Sequence, residues 1–332
     1  MPPIHPCKRL FLLALSALLW SCAPLAMASS DGEPATGSAD RVGLWPTAVA
    51  PGDKLLDQPP RIVERSRDTA LPDRYITHVS EPYLVVYRPT LPNGIGLLVL
   101  PGGGYKRVVL DKEGSALVPA FVEQGGITLF VLRHRLPGEG RADREAALAD
   151  AQRALRLIRS RAAQWQLDPH RIGVMGFSAG GHLAARLGTG FDKPVYPATD
   201  AVDRLSARPD FELLIYPVID MAGPDAHAGS RERLLGPHPD ARLLRQYSMQ
   251  YQVHPDTPPT FLVHAQDDPA VPVGNALQFY RALLRVGVPI EMHLFPHGGH
   301  GFGVRGTSGL TTAAWPRLAR DWIATQPEKT SP

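Results

Sequence analysis

Cysteine is nearly absent from the sequence, with two residues among 332, Cys7 and Cys22. Both lie in the first thirty residues, so a chain that lost this segment could form no internal disulfide, cysteine nucleophile or thiolate metal site. Neither sign of charge predominates, because 35 basic and 32 acidic residues give a net charge of only +3. The basic residues form no block or stripe along the sequence. We therefore expect no nucleic-acid partner and no electrostatic steering by the surface as a whole.

Long apolar runs are scarce, and a notable one lies close to the start of the chain. Residues 10–20 form an apolar core that follows Lys8 and Arg9. This core is shorter than the roughly 20 apolar residues that span a bilayer. The small-residue stretch at 26–28 resembles a signal-peptidase site. We predict that residues 1–28 are a signal peptide and that the protein is exported to the periplasm or the cell exterior.

Two other interpretations of the first segment stay open. One is an uncleaved membrane anchor. The other is a lipoprotein, because Leu19-Trp20-Ser21-Cys22 resembles a bacterial lipobox with cleavage before Cys22 and a lipid on its thiol. Trp20 departs from that pattern, since a small residue is usual there. Apart from the anchor, membrane association is expected only if Cys22 is lipidated.

Short apolar strands alternate with amphipathic helices along most of the chain. Strands are predicted at 83–88, 96–100, 127–132, 171–175, 211–218, 260–265 and 290–295, and helices at 142–164, 179–187, 275–286 and 311–325. Strands that are apolar on both faces and separated by helices indicate an α/β fold, with a mostly parallel central sheet and helices on both faces.

The remaining stretches are rich in residues that favour loops. Residues 29–75 contain many Pro, Gly, Asp and Ser residues and are predicted to be an extended N-terminal lead-in. Residues 189–210 and 219–258 are irregular, and we expect loops or a small lid over the sheet. One domain is predicted over residues 76–326.

A serine flanked by glycines lies at a predicted strand-to-helix turn, in Gly176-Phe177-Ser178-Ala179-Gly180. Such a G-x-S-x-G turn projects the serine Oγ above the carboxyl edge of a sheet, beside a helix N-terminus that stabilises negative charge. The pentapeptide by itself is also compatible with a purely structural turn. Its place between a strand and a helix favours a nucleophile, and we predict that role for Ser178.

A serine nucleophile needs a base and an acid that orients the base, and in this architecture the acid precedes the histidine in the chain. Asp267 and Asp268 follow one predicted strand, and His297 and His300 follow the next. Glycines on both sides of His300 allow its loop to reach the serine, so we favour His300 as the base. The residues by themselves do not separate the two aspartates. The two histidines lack a third metal ligand, so no metal or other cofactor is expected.

Three stretches resemble the α/β-hydrolase fold, and within it a bacterial branch of secreted esterases that act on acylated plant polysaccharide. They are LLVLPGGGYKRVV, LDPHRIGVMGFSAGGHLAA and FLVHAQDDPAVPVGNALQFYRALLRVGVPIEMHLFPHGGHGFG. Members of this branch are described as acetyl xylan esterase-like or feruloyl esterase-like, and some carry the label endo-1,4-beta-xylanase-like. The related pattern H-x-x-x-D-x-x-V fits His264, Asp268 and Val271. The resemblance therefore implies Asp268 as the acid, with Asp267 as the lesser candidate.

A glycine-rich loop follows the strand at 96–100. Its sequence PGGGY resembles the H-G-G-G loop of esterases and departs from it by Pro101 in place of histidine. The backbone N–H groups of Gly103, Gly104 and Ala179 are expected to form an oxyanion hole, since glycines leave these donors unobstructed. A plain glycine turn is the alternative.

Together these features predict an exported serine ester hydrolase that acts through an acyl-enzyme. The resemblance implies acetyl groups on a xylan-like carbohydrate, so the expected partner is a small-molecule or polysaccharide ester. The alternatives are a feruloyl esterase, a peptidase of the prolyl-oligopeptidase type, a glycosidase that would need a pair of placed carboxylates, and a catalytically silent carbohydrate-binding relative. The sequence does not indicate an oligomeric state.

Overall fold

The computed structural model describes residues 1–3, 39–47, 49–51, 53, 56–139 and 143–326. Both cysteines and the predicted signal peptide beyond residue 3 lie outside these residues, so export and lipidation stay predictions. The chain divides into a short first unit, Met1–Ala35, and the unit Thr36–Pro332, which contains every element described below. Among the described residues, no helix combines the length and hydropathy that crossing a membrane requires.

Eleven strands occur in the described residues. They are β1 (Asp40–Gly43), β2 (Arg61–Glu64), β3 (Arg74–Thr77), β4 (Tyr83–Tyr87), β5 (Gly96–Leu100), β6 (Val108–Val109), β7 (Thr128–Arg133), β8 (Ile172–Phe177), β9 (Glu212–Ile215), β10 (Thr260–Ala265) and β11 (Ile290–Phe295). Eight of them form the central sheet in the spatial order β1-β4-β7-β5-β8-β9-β10-β11. The pairs β1–β4 and β4–β7 are antiparallel, and the other pairs are parallel. The predicted mostly parallel sheet is confirmed.

Helices cover both faces of this sheet. The α-helices are α1 (Ala146–Ser160), α2 (Ala179–Thr189), α3 (Ala228–Leu235), α4 (Ala241–Gln246), α5 (Gly274–Val286) and α6 (Trp315–Ala324). Alternate residues of the inner strands enter two separate cores: Leu84 of β4 belongs to the core that contains residues of α1, α2 and α5, and Val85 to the core that contains residues of α6. This arrangement explains why the inner strands are apolar on both faces.

Several elements lie where the sequence predicted none. Strands β1 and β2 fall within the predicted lead-in, and β1 extends the central sheet. They are only four residues long and largely exposed, which leaves no apolar run to detect. Helices α3 and α4 occupy the region expected to be irregular. Helix α3 begins after His227, whose Nδ1 accepts a hydrogen bond from the Ser230 amide, and histidine is not among the residues preferred as helix caps.

A buried carboxyl group in β9 makes the stability of this fold depend on pH. Glu212 is fully buried, and its Oε1 accepts a hydrogen bond of 2.8 Å from Thr260 Oγ1. Its Oε2 has no hydrogen-bond partner among the described residues. Burial raises the pKa of Glu212 from 4.5 to about 8, although the hydrogen bond from Thr260 lowers it in part. Between pH 4.5 and about pH 8 this carboxyl group is ionised in the unfolded chain and still protonated in the folded one. The free energy of unfolding therefore falls as the pH rises through this interval.

We expect Glu212→Gln to remove this pH dependence, because glutamine keeps the shape of the side chain and does not ionise. The Tm of the variant minus the Tm of the wild type should increase from about pH 5 to about pH 8 and stay constant above about pH 8. The corresponding free energy of unfolding changes by about 1.4 kcal/mol per pH unit. Thermal melts across this range test the expectation, with the exposed Glu123→Gln as the control. A difference that does not vary with pH would contradict it.

Candidate active site

The predicted nucleophile lies in the turn between β8 and α2. Ser178 has a φ of 54° and a ψ of −120°, a conformation that costs a non-glycine residue about 1–3 kcal/mol. Two glycines make the turn possible. A Cβ at Gly176 would lie 2.3 Å from the Gly180 carbonyl oxygen, and one at Gly180 would lie 2.1 Å from the Leu100 carbonyl oxygen. The turn thus places Ser178 at the carboxyl edge of the sheet and at the N-terminus of α2.

A continuous chain of hydrogen bonds joins Ser178, His300 and Asp268. Ser178 Oγ lies 2.9 Å from His300 Nε2, and His300 Nδ1 lies 2.7 Å from Asp268 Oδ2. Because Asp268 accepts at Nδ1, the proton of neutral His300 belongs on Nδ1, and Nε2 is left to accept the serine proton. The structure therefore brings together the three side chains that the sequence selected, in the order that general-base activation of a hydroxyl requires.

The carboxylate of Asp268 is buried and fully hydrogen-bonded. Oδ1 accepts hydrogen bonds from the amides of Ala270 and Val271, at 2.9 and 2.8 Å, while His264 Nε2 lies 3.5 Å from Oδ2. Burial raises the pKa of Asp268, but the hydrogen bonds from His264, His300 and the Val271 amide outweigh it and hold the pKa well below 3.8. Asp268 is therefore ionised beside His300, as an orienting acid must be.

The two alternative residues form a separate pair at the surface. His297 Nδ1 lies 3.2 Å from Asp267 Oδ2, and both side chains are largely exposed. Asp267 Oδ1 also accepts hydrogen bonds from the amides of Gly298 and Gly299, just before His300 in the chain. Asp267 thus shapes the loop that carries His300 and makes no hydrogen bond to the His300 ring.

The glycine-rich loop after β5 lies beside Ser178. Gly103 has a φ of 132°, and a Cβ there would lie 2.2 Å from the Arg107 carbonyl oxygen, so only glycine fits. Within the described part of the chain, the amides of Gly103, Gly104 and Ala179 donate no hydrogen bond to another residue. Gly103 and Gly104 line the same cleft as Ser178 and His300, which leaves their donors available to a ligand.

A buried glutamate that the sequence did not single out supports this loop. Glu113 Oε2 accepts a hydrogen bond of 2.7 Å from the Gly102 amide, and its Oε1 accepts one of 3.0 Å from the Tyr216 hydroxyl. The Tyr216 oxygen accepts a hydrogen bond of 3.1 Å from the Gly303 amide, and the Tyr216 ring packs edge-on against His300. Burial raises the pKa of Glu113, although these hydrogen bonds oppose it. This network connects the glycine loop to the histidine loop, and a lone glutamate in the sequence gives no indication of it.

Two aromatic residues outside the cleft have hydrogen-bond partners. Tyr105 of the glycine-rich loop is buried, and its hydroxyl lies 2.8 Å from His182 Nδ1. Trp45 donates a hydrogen bond to Asp150. Neither side chain lines the cleft that contains Ser178.

The cleft above Ser178 has a volume of about 510 Å³, and most of the described residues that line it are charged or polar. Val109 is the one apolar side chain larger than glycine among the described residues that line it. His227 of the loop before α3 forms part of the opposite wall. Its Nδ1 accepts a hydrogen bond from the Ser230 amide, and burial lowers the pKa of its ring. The proton of neutral His227 is therefore on Nε2. The sequence did not single out His227.

Among the described residues, no group of three or more His, Cys, Asp and Glu side chains is arranged to hold a metal ion. The arrangement found instead is a hydroxyl, an imidazole and a carboxylate in series, beside backbone donors without a partner. Such a site can perform acyl transfer without a cofactor.

Comparison with known proteins places this site in a family. The family model described as BD-FAE matches residues 97–283. The chain is 34% identical over 224 residues to an acetylxylan esterase of Xylanibacter ruminicola, covering 66% of this chain and 43% of that protein. It is 35% identical over 218 residues to endo-1,4-beta-xylanase B of Butyrivibrio fibrisolvens, covering 63% and 32%. The chain thus spans less than half the length of these two curated relatives.

A solved structure extends the similarity to almost the whole fold. The acetyl ester-xyloside bifunctional hydrolase of Caldicellulosiruptor lactoaceticus is 38% identical, with a TM-score of 0.70, over 86% of this chain and 95% of that chain. The mostly parallel sheet and the serine turn define an α/β hydrolase, and proteins similar to it include an acetylxylan esterase and an acetyl ester-xyloside hydrolase. Within that class, the chain belongs to the BD-FAE family. The predicted fold class and family are confirmed.

Proposed function

We propose that the protein is an exported serine esterase that removes short acyl groups, acetyl foremost, from a xylan-like carbohydrate. The observation that carries the proposal is the hydrogen-bonded series of Ser178, His300 and Asp268 at the base of a polar cleft. Export rests on the pattern of residues 1–28, and the carbohydrate rests on the names of the similar proteins.

The geometry supports acyl transfer in two steps. His300 Nε2 takes the proton of the Ser178 hydroxyl as Oγ attacks the ester carbonyl, and Asp268 stabilises the imidazolium that results. The imidazolium then protonates the departing alcohol. In the second step His300 removes a proton from water, which attacks the acyl-enzyme and releases the acid.

Backbone donors stabilise the charge that develops on the carbonyl oxygen. In this proposal the amides of Gly103, Gly104 and Ala179 form the oxyanion hole. Their freedom from other hydrogen bonds in the described structure supports this role, as does the position of Ala179 at the N-terminus of α2. One such donor contributes about 3–4 kcal/mol to transition-state stabilisation.

The lining of the cleft favours a small acyl group on a polar alcohol. Apolar side chains other than Val109 are absent from the described lining, and so are Phe, Tyr and Trp. A long or aromatic acyl group would find no large apolar or aromatic side chain among the described lining residues to pack against, whereas hydroxyl groups of a sugar would find many polar partners. Acetyl is therefore favoured over feruloyl as the acyl group.

Acetate release tests the proposal. Acetylated xylan, p-nitrophenyl acetate and a feruloylated sugar are each incubated with the purified protein and with Ser178→Ala. We expect acetate from the polymer and turnover of the small ester, with little ferulate, and no product from the variant. Turnover of p-nitrophenyl acetate alone would contradict the xylan substrate and leave the serine mechanism in place. Equal polymer deacetylation by Ser178→Ala would contradict the mechanism itself.

A further inference from the structure

The cleft above Ser178 carries an excess of positive charge. Arg65, Lys106, Arg107, Lys112 and Arg233 line it, against two carboxylates, Glu113 and Glu232. Only Arg65 of the five has an ion-pair partner among the described residues, namely Asp73 at 2.6 Å. Glu113 is occupied by the Gly102 amide and the Tyr216 hydroxyl below the cleft. With the Arg65–Asp73 pair set aside, four cations remain against two carboxylates, and Glu113 acts on Lys112 from below the cleft.

The cations surround the nucleophile on different elements. The Cγ of Arg107 packs over Gly103 of the proposed oxyanion loop, and its guanidinium lies 5.0 Å from the Tyr75 ring centroid. The Cγ of Lys112 lies beside Gly303, three residues after His300. Arg233 belongs to α3, on the wall that includes His227. Charges of one sign thus line the cleft from the glycine loop, from the segment after β6 beside the histidine loop, and from α3.

This excess is larger than in the other clefts that the described residues line, where cations outnumber carboxylates by one at most. The whole chain has a net charge of only +3. A second surface cleft of about 570 Å³ is balanced, since Lys193 and Arg208 face Asp192 and Asp256. General surface composition therefore does not account for the charge around Ser178. A concave site lined by one sign of charge concentrates ligands of the opposite sign.

We propose that the natural substrate is a carbohydrate ester that carries a carboxylate close to the acyl group, as a uronic acid side group on xylan would. The inference rests on the proposed function and names its substrate class more closely. The hydroxyls of neutral acetylated xylan can accept hydrogen bonds from these cations but leave their charge unbalanced, whereas a carboxylate pairs with the charge and accepts bidentate hydrogen bonds from arginine. Lys106, Lys112 and Arg233 are the residues that distinguish the two substrates.

A matched pair of substrates tests this inference. Acetylated xylo-oligosaccharides with and without one glucuronic acid group are compared by kcat/KM, beside p-nitrophenyl acetate. We expect a preference of about tenfold for the acidic oligosaccharide, because exposed ion pairs are individually weak and three of them act together. The preference should reside in KM and decline as ionic strength rises.

A variant that lacks three of the cleft cations tests whether these residues cause the preference for the acidic oligosaccharide. The combined variant Lys106→Gln, Lys112→Gln and Arg233→Gln should lose the preference while its turnover of p-nitrophenyl acetate stays within about twofold of the wild type. The control Arg242→Gln, Arg281→Gln and Arg285→Gln removes three exposed cations outside the cleft lining and should keep the preference. Equal loss in both variants would overturn the inference, because it would reflect net charge alone.

A binding measurement separates this inference from the proposed function. Calorimetry on Ser178→Ala with the two oligosaccharides detects the preference without turnover, and tighter binding of the acidic one supports the inference. Equal affinities, combined with turnover of p-nitrophenyl acetate by the wild type, would overturn the carboxylate subsite and leave the esterase in place. Absence of turnover of any ester by the wild type would instead overturn the proposed function.

Discussion

Replacement of Ser178 by alanine should lower kcat for ester hydrolysis by about 10⁴- to 10⁶-fold, since it removes the hydroxyl that forms the acyl-enzyme. The fold should persist. The side chain of Ser178 makes one hydrogen bond, to His300, whereas its backbone amide and carbonyl bond Ile215, His182 and Val218 in either variant. Steady-state kinetics with p-nitrophenyl acetate and a thermal melt measure the two effects.

The matched control for this substitution is Ser160→Ala. Ser160 ends α1, and its hydroxyl bonds the Leu157 carbonyl within the same helix, far in sequence from the turn after β8. Its replacement should leave kcat unchanged. A serine-directed fluorophosphonate should label the wild type and Ser160→Ala but not Ser178→Ala. Substantial activity or labelling in Ser178→Ala would rule out Ser178 as the nucleophile.

Asparagine substitutions at two adjacent positions should differ greatly in effect. Asp268→Asn should lower kcat by about 10⁴-fold, because an amide at that position no longer holds the proton of His300 on Nδ1 and cannot stabilise the imidazolium. Asp267→Asn should change kcat by less than about threefold, since its side-chain oxygen still accepts the amides of Gly298 and Gly299. Both variants replace a carboxylate by an amide, and they do so at adjacent positions, so each serves as the control of the other.

The pH dependence of kcat/KM adds a second measurement on this pair. Asp267→Asn should keep the profile of the wild type, because His300 retains its carboxylate partner. A tenfold or larger loss in Asp267→Asn, with normal activity in Asp268→Asn, would exchange the roles of the two aspartates. Similar losses in both variants, accompanied by a lower Tm, would indicate that the loop rather than the charge at Asp268 had been disturbed.

Local sequence patterns predicted the elements that bury both faces of the sheet. The runs at 96–100 and 260–265 coincide with β5 and β10, because largely apolar stretches bounded by turn residues leave few alternatives, and 290–295 coincides with the partly buried β11. The serine turn was equally visible, since Gly176 and Gly180 are adjacent in sequence to the residue whose conformation they allow. Strands β1 and β2 escaped prediction because they are short and exposed. Helix α3 did so because His227 serves as its cap.

The choice between neighbouring residues needed more than the sequence. Asp267 and Asp268 are equivalent in composition and spacing, and only the family resemblance separated them before the structure was considered. In the folded chain Asp268 lies against His300 in a buried network, whereas Asp267 faces solvent beside His297. Side-chain direction at a strand end depends on the packing of β10 against β11, which no local pattern records.

The sequence by itself determined the layered architecture, the serine turn and the glycine loop, because each depends on residues that are neighbours in the chain. Only the tertiary structure brings Asp268 and His300 to the serine and places Glu113 and Tyr216 against the loops around it. It also gathered Lys106, Lys112 and Arg233 into one cleft of a nearly neutral chain. Coulombic interactions depend on distance in space, so charges scattered along the sequence acquire a common effect only when folding brings them around Ser178.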